Sequence, residues 1–197
     1  MPDINLTKQE FIDIFTTHVT RQGADKLLDY LTNSDFFTAP ASARYHLSEP
    51  GGLCEHSLNV YKRLVDLVRH EYGDDYQSFA TDETLVICGL LHDVCKVNYY
   101  AVDYRNVKEE TGWVKRPYYK VDERFPYGHG EKSVFIVSQY IKLSADEAMA
   151  INWHMGGFDD RVKGGSYALS EAYGKYKLAL LLHVADMMAS YLDEERG

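Results

Sequence analysis

His92 and Asp93 stand side by side at the end of the apolar run Leu85-Val86-Ile87-Cys88-Gly89-Leu90-Leu91. Such a run reads as a buried helix, where two adjacent ionisable groups are costly unless they are paired or hold a metal. Adjacent helical residues diverge by about 100°, so both side chains can face one ion only where the helix opens into a cleft. His56 falls on the apolar stripe of another expected helix, and Asp186 on that of a third. A lone histidine on such a face is more often a hydrogen-bonded core residue. An unpaired buried carboxylate is harder to explain away. Together His56, His92, Asp93 and Asp186 form a four-ligand set of two imidazoles and two carboxylates. Mixed nitrogen and oxygen donors suit Mn²⁺, Fe²⁺, Co²⁺, Ni²⁺ or Zn²⁺ better than Ca²⁺, with Mg²⁺ as a further candidate.

His129, in Tyr127-Gly128-His129-Gly130-Glu131, opens one expected helix, and His154 closes another. If both are metal ligands, a second cation sits beside the first with Asp93 as the bridge. If not, one cation is bound and the two histidines reach the substrate. Lys96, one turn past His92, is placed to offset charge on phosphate oxygens; the alternative is a solvated lysine at a helix end. Asp93 and Lys96 are therefore the candidate catalytic residues, and Lys96, His129 and His154 the candidate substrate contacts. His183, three residues before Asp186, reads as a supporting or packing residue. His46 lies in the loop before the first metal helix and could line the pocket mouth, whereas His18 and His70 read as surface residues. Glu55 points away from the face that carries His56.

The elements that must position these groups follow from periodicity. Thr7-Lys8-Gln9-Glu10 has capping-box spacing and precedes Phe11, Ile14, Phe15 and Val19 on one face. A short helix is expected over Ala24 to Leu31, and Phe36-Phe37-Thr38-Ala39-Pro40 breaks it. The segment up to Gly52 reads as a loop. The next helix runs from Leu53 to Tyr72, and Thr81 or Asp82 caps the helix that delivers His92 and Asp93. Helices resume after Gly130, and Ser144-Ala145-Asp146-Glu147 forms a second capping box for a helix ending near His154. The last helix is expected from about Lys175 to Leu192. Residues 97–128 differ in texture, with seven tyrosines or tryptophans interleaved with lysines and arginines. The piece Val107 to Val114, with Gly112, looks like a hairpin. Its aromatics could stack a base or pack on the bundle or on a second subunit, which leaves a homo-oligomer open. The expected architecture is an all-α bundle with a small β-hairpin or loop insertion around 97–128. A single domain spans 1–197, with helices of residues 1–35 packed onto it.

Composition narrows the function classes. The 197 residues carry a formal net charge of −9, which argues against broad binding of duplex nucleic acid through a basic face. A small phosphorylated substrate remains compatible, because a bound cation recruits phosphate locally. Three cysteines without CxxC spacing read as reduced core thiols of a cytosolic protein. No segment approaches the roughly 18 apolar residues of a membrane span, and Met1-Pro2-Asp3-Ile4-Asn5 does not look like a leader. The expected location is cytoplasmic, with no membrane partner.

The segments Gly51-Gly52-Leu53-Cys54-Glu55-His56-Ser57 and Leu91-His92-Asp93-Val94-Cys95-Lys96, followed by Ala185-Asp186, resemble the HD-domain superfamily of metal-dependent phosphohydrolases. The order His…His-Asp…Asp is the signature, and the resemblance spans about residues 36 to 190. The run from Phe36 through Ser57 is also similar to the HD domain of bacterial 3′→5′ exoribonucleases. The chain departs from that type: no nucleic-acid-binding module precedes the match, and the Tyr-rich insertion is long. The resemblance implies a helical bundle and metal binding by His56, His92, Asp93 and Asp186, with His129 and His154 placed like the extra histidines of two-metal members. It implies one or two divalent cations that lower the pKa of a bound water and a small phosphorylated substrate of nucleotide type. The alternatives are a 3′→5′ exonuclease on short single-stranded RNA or DNA, and a metal-containing nucleotide sensor without turnover.

Overall fold

A computed structural model describes residues 3–110 and 112–194. Met1, Pro2, Thr111 of the expected hairpin turn and the last three residues lie outside the described residues. Helix α1 (Ile4–His18) starts earlier than the Thr7 box suggests, because the Asp3 carboxylate accepts from the amides of Asn5 and Leu6 at 3.1 and 3.3 Å. An acceptor that reaches free first-turn amides outcompetes a box one turn later. Helix α2 (Ala24–Asn33) follows, then an irregular segment to Gly51. Helix α3 (Gly52–Tyr72) carries His56. A short turn and α4 (Tyr76–Phe79) lead to α5 (Asp82–Leu91), whose N-cap Thr81 accepts from the Thr84 amide.

Strands β1 (Tyr100–Glu109) and β2 (Gly112–Val121) form one antiparallel hairpin, in register from Tyr100↔Val121 to Glu109↔Gly112. It is longer than the stretch Val107–Val114 that the turn signal marks. Helix α6 (His129–Ser138) precedes α7 (Ala145–Trp153), which opens on a complete capping box between Ser144 and Glu147. The final stretch is two helices, with α8 (Asp160–Lys163) before them. Helix α9 (Ala168–Lys175) ends at Tyr176, and α10 (Lys177–Met188) continues into a wider π turn, Ala189–Asp193. The expected single helix from Lys175 is thus broken at Tyr176, whose extended backbone (φ −120°, ψ 88°) separates the two. Helix α9 has a mostly exposed, polar surface, so hydrophobic periodicity marks it weakly.

Two apolar clusters meet along α3, α5 and α7. One joins Phe11, Phe15, Leu27, Leu31 and Phe36 to Leu53, Leu58, Leu90, Leu91 and Ile151. The other joins Val60, Leu64 and Val68 to Leu85, Cys88, Trp153, Leu178 and Leu182. A fully buried Leu or Phe contributes about 1.5–3 kcal/mol, so α3, which carries His56, and α5, which leads to His92 and Asp93, are firmly seated. Arg21, between α1 and α2, clamps the wholly buried Glu147 of α7 with two bonds of 2.6 Å, and Thr84 of α5 donates to the same carboxylate at 2.9 Å. No helix among the described residues is long and apolar enough to cross a membrane.

Candidate metal centre

Helix α5 is buried from Leu85 to Leu91, then ends. His92 still has helical backbone (φ −57°, ψ −35°), but Asp93 turns to φ −106°, ψ 18° and a 3-10 turn, Val94–Lys96, follows. This change of winding lets neighbours that diverge on a helix face one point. His92 and Asp93 are 0% and 2% exposed.

Three of the imidazoles are fixed by the far nitrogen. His92 Nδ1 donates to Gly89 O at 2.8 Å and His154 Nδ1 to Ile151 O at 2.7 Å. Carbonyls only accept, so in the neutral ring Nε2 is bare in both cases. His56 Nδ1 donates to the Glu194 carboxylate at 2.9 Å. The three Nε2 atoms then turn inward. His56 Nε2 lies 3.2 Å from His92 Nε2, 3.3 Å from Asp186 Oδ1 and 3.5 Å from Asp93 Oδ2. His154 Nε2 is buried with no hydrogen-bond partner, 3.4 Å from Asp93 Oδ1 without hydrogen-bond geometry. His129 Nε2 is 2.7 Å from the same oxygen.

The two oxygens of Asp93 therefore face different histidines: Oδ2 faces His56 and His92, and Oδ1 faces His129 and His154. His56, His92 and Asp186 make one group with ligand atoms close enough for a single ion, and His92, Asp93 and His154 make another. The converging Nε2 atoms, that of His154 buried and without a hydrogen-bond partner, fit a divalent cation in donor type and arrangement.

The charges respond as expected of such a cluster. Burial works against charging His56, but Glu194 and Asp186 outweigh it and push its pKa up to about 10. Burial dominates at His92, which falls to about 3. Burial would raise Asp93, yet Lys96 and the surrounding imidazoles hold it well below the carboxylate range. Asp186 is lowered in the same way by His56, against its own burial. Lys96 Nζ sits 2.5 Å from Asp93 Oδ2; burial works against its charged form, but that carboxylate raises the Lys96 pKa.

All six expected ligands come together. Lys96 joins them as a part-buried ion-pair partner of Asp93, not a solvated lysine. His183 donates Nδ1–H to His154 O at 2.7 Å. Its ring lies where a Cβ on Gly156 would come within 2.4 Å, and Gly156 has φ +53°, so only glycine turns the chain there. His46 lines the cavity above the site, and His70 is exposed. Two neighbours escaped the sequence reading. Glu194 stands in the acidic run Asp193-Glu194-Glu195, which reads as a solvated end. Cys95, read as a core thiol, has Sγ 3.4 Å from His129 Nε2.

A cavity of about 500 Å³ opens over this cluster, walled by Tyr45, His46, Tyr100, Phe158 and Met187 and floored by Asp93 and Lys96. A second, of about 300 Å³, adjoins it through Lys96 and His129. Tyr104 and Trp113 of the hairpin are exposed and line neither. Three of the basic residues in and just after the hairpin are paired locally: Arg116 with Glu109, Lys120 with Asp103 and Arg124 with Asp122.

Comparison with curated proteins and with solved structures gives no match. The family profile of the HD domain matches residues 53–190, more than two-thirds of the sequence. That match takes in His56, His92, Asp93, His129, His154 and Asp186, and the chain belongs to the HD-domain family.

Proposed function

We propose that this chain is a metal-dependent phosphohydrolase that cleaves a phosphate ester or anhydride of a nucleotide-type substrate with water. The observation that carries the reading is the split carboxylate of Asp93, with an inward-turned imidazole on each side of it. His56, His92, Asp93 and Asp186 would hold one divalent cation, and His129 and His154 would hold a second with Asp93 or reach the substrate. When bound, the cation supplies a water of lowered pKa and a positive charge for a phosphoryl oxygen. Lys96, kept protonated by Asp93, offers its ammonium to the phosphate oxygens from the cavity floor.

The larger cavity falls within the range of small-ligand sites, about 300–1,000 Å³. Its wall of Tyr45, Tyr100 and Phe158 offers aromatic faces to a base. The local pairing of Arg116 and Lys120 in the hairpin supports a small nucleotide over a long single strand. Buried free thiols at Cys54, Cys88 and Cys95 support a reducing, cytoplasmic setting.

The test is product analysis after stripping and reloading with Mn²⁺, Co²⁺, Ni²⁺, Zn²⁺ or Mg²⁺. Substrates are nucleoside mono-, di- and triphosphates, cyclic dinucleotides and a short single-stranded oligonucleotide, with Asp93→Ala alongside. Metal-dependent cleavage of one nucleotide class, absent in Asp93→Ala, is the expected result. Normal turnover by Asp93→Ala refutes the site, processive shortening of the oligonucleotide favours the exonuclease, and tight nucleotide binding without product favours a sensor.

A further inference from the structure

Glu194 is a buried carboxylate that the hydrolytic reading leaves unexplained. Its residue is 8% exposed and its side chain 1%. Burying a charge at such a place is costly unless it is fully engaged, and here it is. His56 Nδ1 lies 2.9 and 3.2 Å from its two oxygens, His46 Nδ1 lies 2.5 Å from Oε2, and Asn59 Nδ2 donates to Oε1 at 3.1 Å. The preceding residue is held as firmly: Arg63 on α3 forks onto the Asp193 carboxylate, with Nε donating to Oδ2 at 2.7 Å. The π turn Ala189–Asp193 thus brings the chain from α10 back onto α3 and seats Glu194 behind the ring of His56.

We infer that Glu194 is a positioning residue that fixes His56 with Nδ1–H toward the carboxylate and Nε2 toward the cation, while tying that ring to His46 in the cavity wall. This rests on the metal reading above. A carboxylate accepts only, so both imidazoles must donate Nδ1–H to it. For His56 this turns Nε2 toward Asp93, Asp186 and His92, where a cation would take the place of its proton. A carboxylate behind a ligand imidazole also increases its basicity and locks its rotation. His46, His56 and Glu194 have ligand atoms close enough together to suggest an ion of their own. Their hydrogen bonds already engage those atoms, so they form a latch. The same carboxylate joins α3 to the segment Ala41, Ser42, Tyr45 and His46 that walls the larger cavity, so loss of the latch loosens metal and substrate together.

The test is Co²⁺ titration of the full chain, followed by calorimetry and by the visible d–d spectrum. Glu194→Ala is expected to weaken Co²⁺ about 10–100-fold, the usual loss for such a partner, and to alter the spectrum. Glu194→Gln keeps one acceptor oxygen and the shape, so it falls between and serves if the alanine variant does not fold. His46→Ala leaves the Glu194–His56 contact intact and is expected to lose clearly less Co²⁺ affinity than Glu194→Ala. Parental affinity and spectrum in both Glu194 variants overturn the inference, as does an equal loss in His46→Ala. NMR separates this from failure of the metal reading. An exchange-protected His56 Nδ1 proton is expected in the metal-free parent and is lost in Glu194→Ala. Its absence from the parent overturns the inference, whereas its presence in a protein that takes up no cation overturns the metal reading alone.

Discussion

Lys96→Met separates the ion pair that this lysine makes with Asp93 from the phosphate contact proposed for it. Its Nζ is 2.5 Å from Asp93 Oδ2, with the two side chains 11% and 3% exposed. Breaking a buried ion pair by removing one partner typically costs about 3–5 kcal/mol. Asp93 keeps the His129 contact at 2.7 Å and has three more imidazoles within 3.6 Å, among them His56, whose pKa is raised. The expected cost to the metal-free protein is therefore lower, about 1–3 kcal/mol, the range for leaving a buried group under-satisfied. For a chain of this size each kcal/mol shifts Tm by about 2–4 °C, giving a fall of about 2–12 °C in calorimetry with chelator. Lys96 is raised in the folded state, so its contribution is complete below its unfolded pKa of about 10.4 and is lost only as pH rises through the higher folded value. The fall is thus the same at pH 6 and 8. With Mn²⁺ bound, Asp93 has a cation partner again and the fall shrinks. In turnover, loss of one preorganised cation lowers kcat about 10²–10³-fold. Turnover within threefold of the parent, or an equal loss of Tm with and without metal, refutes the assignment.

Two further predictions concern the scaffold. A Cβ on Gly130 would lie 2.3 Å from Asn152 O and 2.7 Å from Ile151 O, both backbone atoms, and Ile151 O is the acceptor that orients His154. Gly130→Ala is expected to cost at least about 1–3 kcal/mol through overpacking and to lower the metal content by elemental analysis relative to the parent; an unchanged metal content refutes it. Arg21→Met leaves Glu147 buried without its cation, at an expected cost of about 3–5 kcal/mol. Burial would raise Glu147, but Arg21, the Ser144 amide and Thr84 hold it below its ordinary value. Its stabilisation is present above the unfolded pKa of about 4.3 and is lost as pH falls through the lower folded value. Calorimetry from pH 7 to 3 is expected to show a shallower acid decline in Arg21→Met, and superimposable slopes refute that account.

The sequence by itself determined the helices that bury an apolar stripe and the polar residues interrupting those stripes. His56, His92, Asp93 and Asp186 stood out because a charged group on an apolar face demands a partner, and that demand is local. The capping boxes were less uniform guides. Ser144 caps α7 as its spacing implies, but Asp3 takes the start of α1 from Thr7. The break at Tyr176 and helix α9 were hidden because polar, exposed turns leave no periodic signal. What only the tertiary structure decided is which atoms meet. The unwinding at Asp93 turns neighbouring side chains onto one point, and the two oxygens of one carboxylate face different histidines. Glu194 was illegible for the same reason. Its partners His46 and His56 lie 148 and 138 residues away, and a carboxylate in an acidic run looks solvated until the π turn folds it against α3. Spacing along a helix fixes which face a residue occupies; only packing fixes what that face meets.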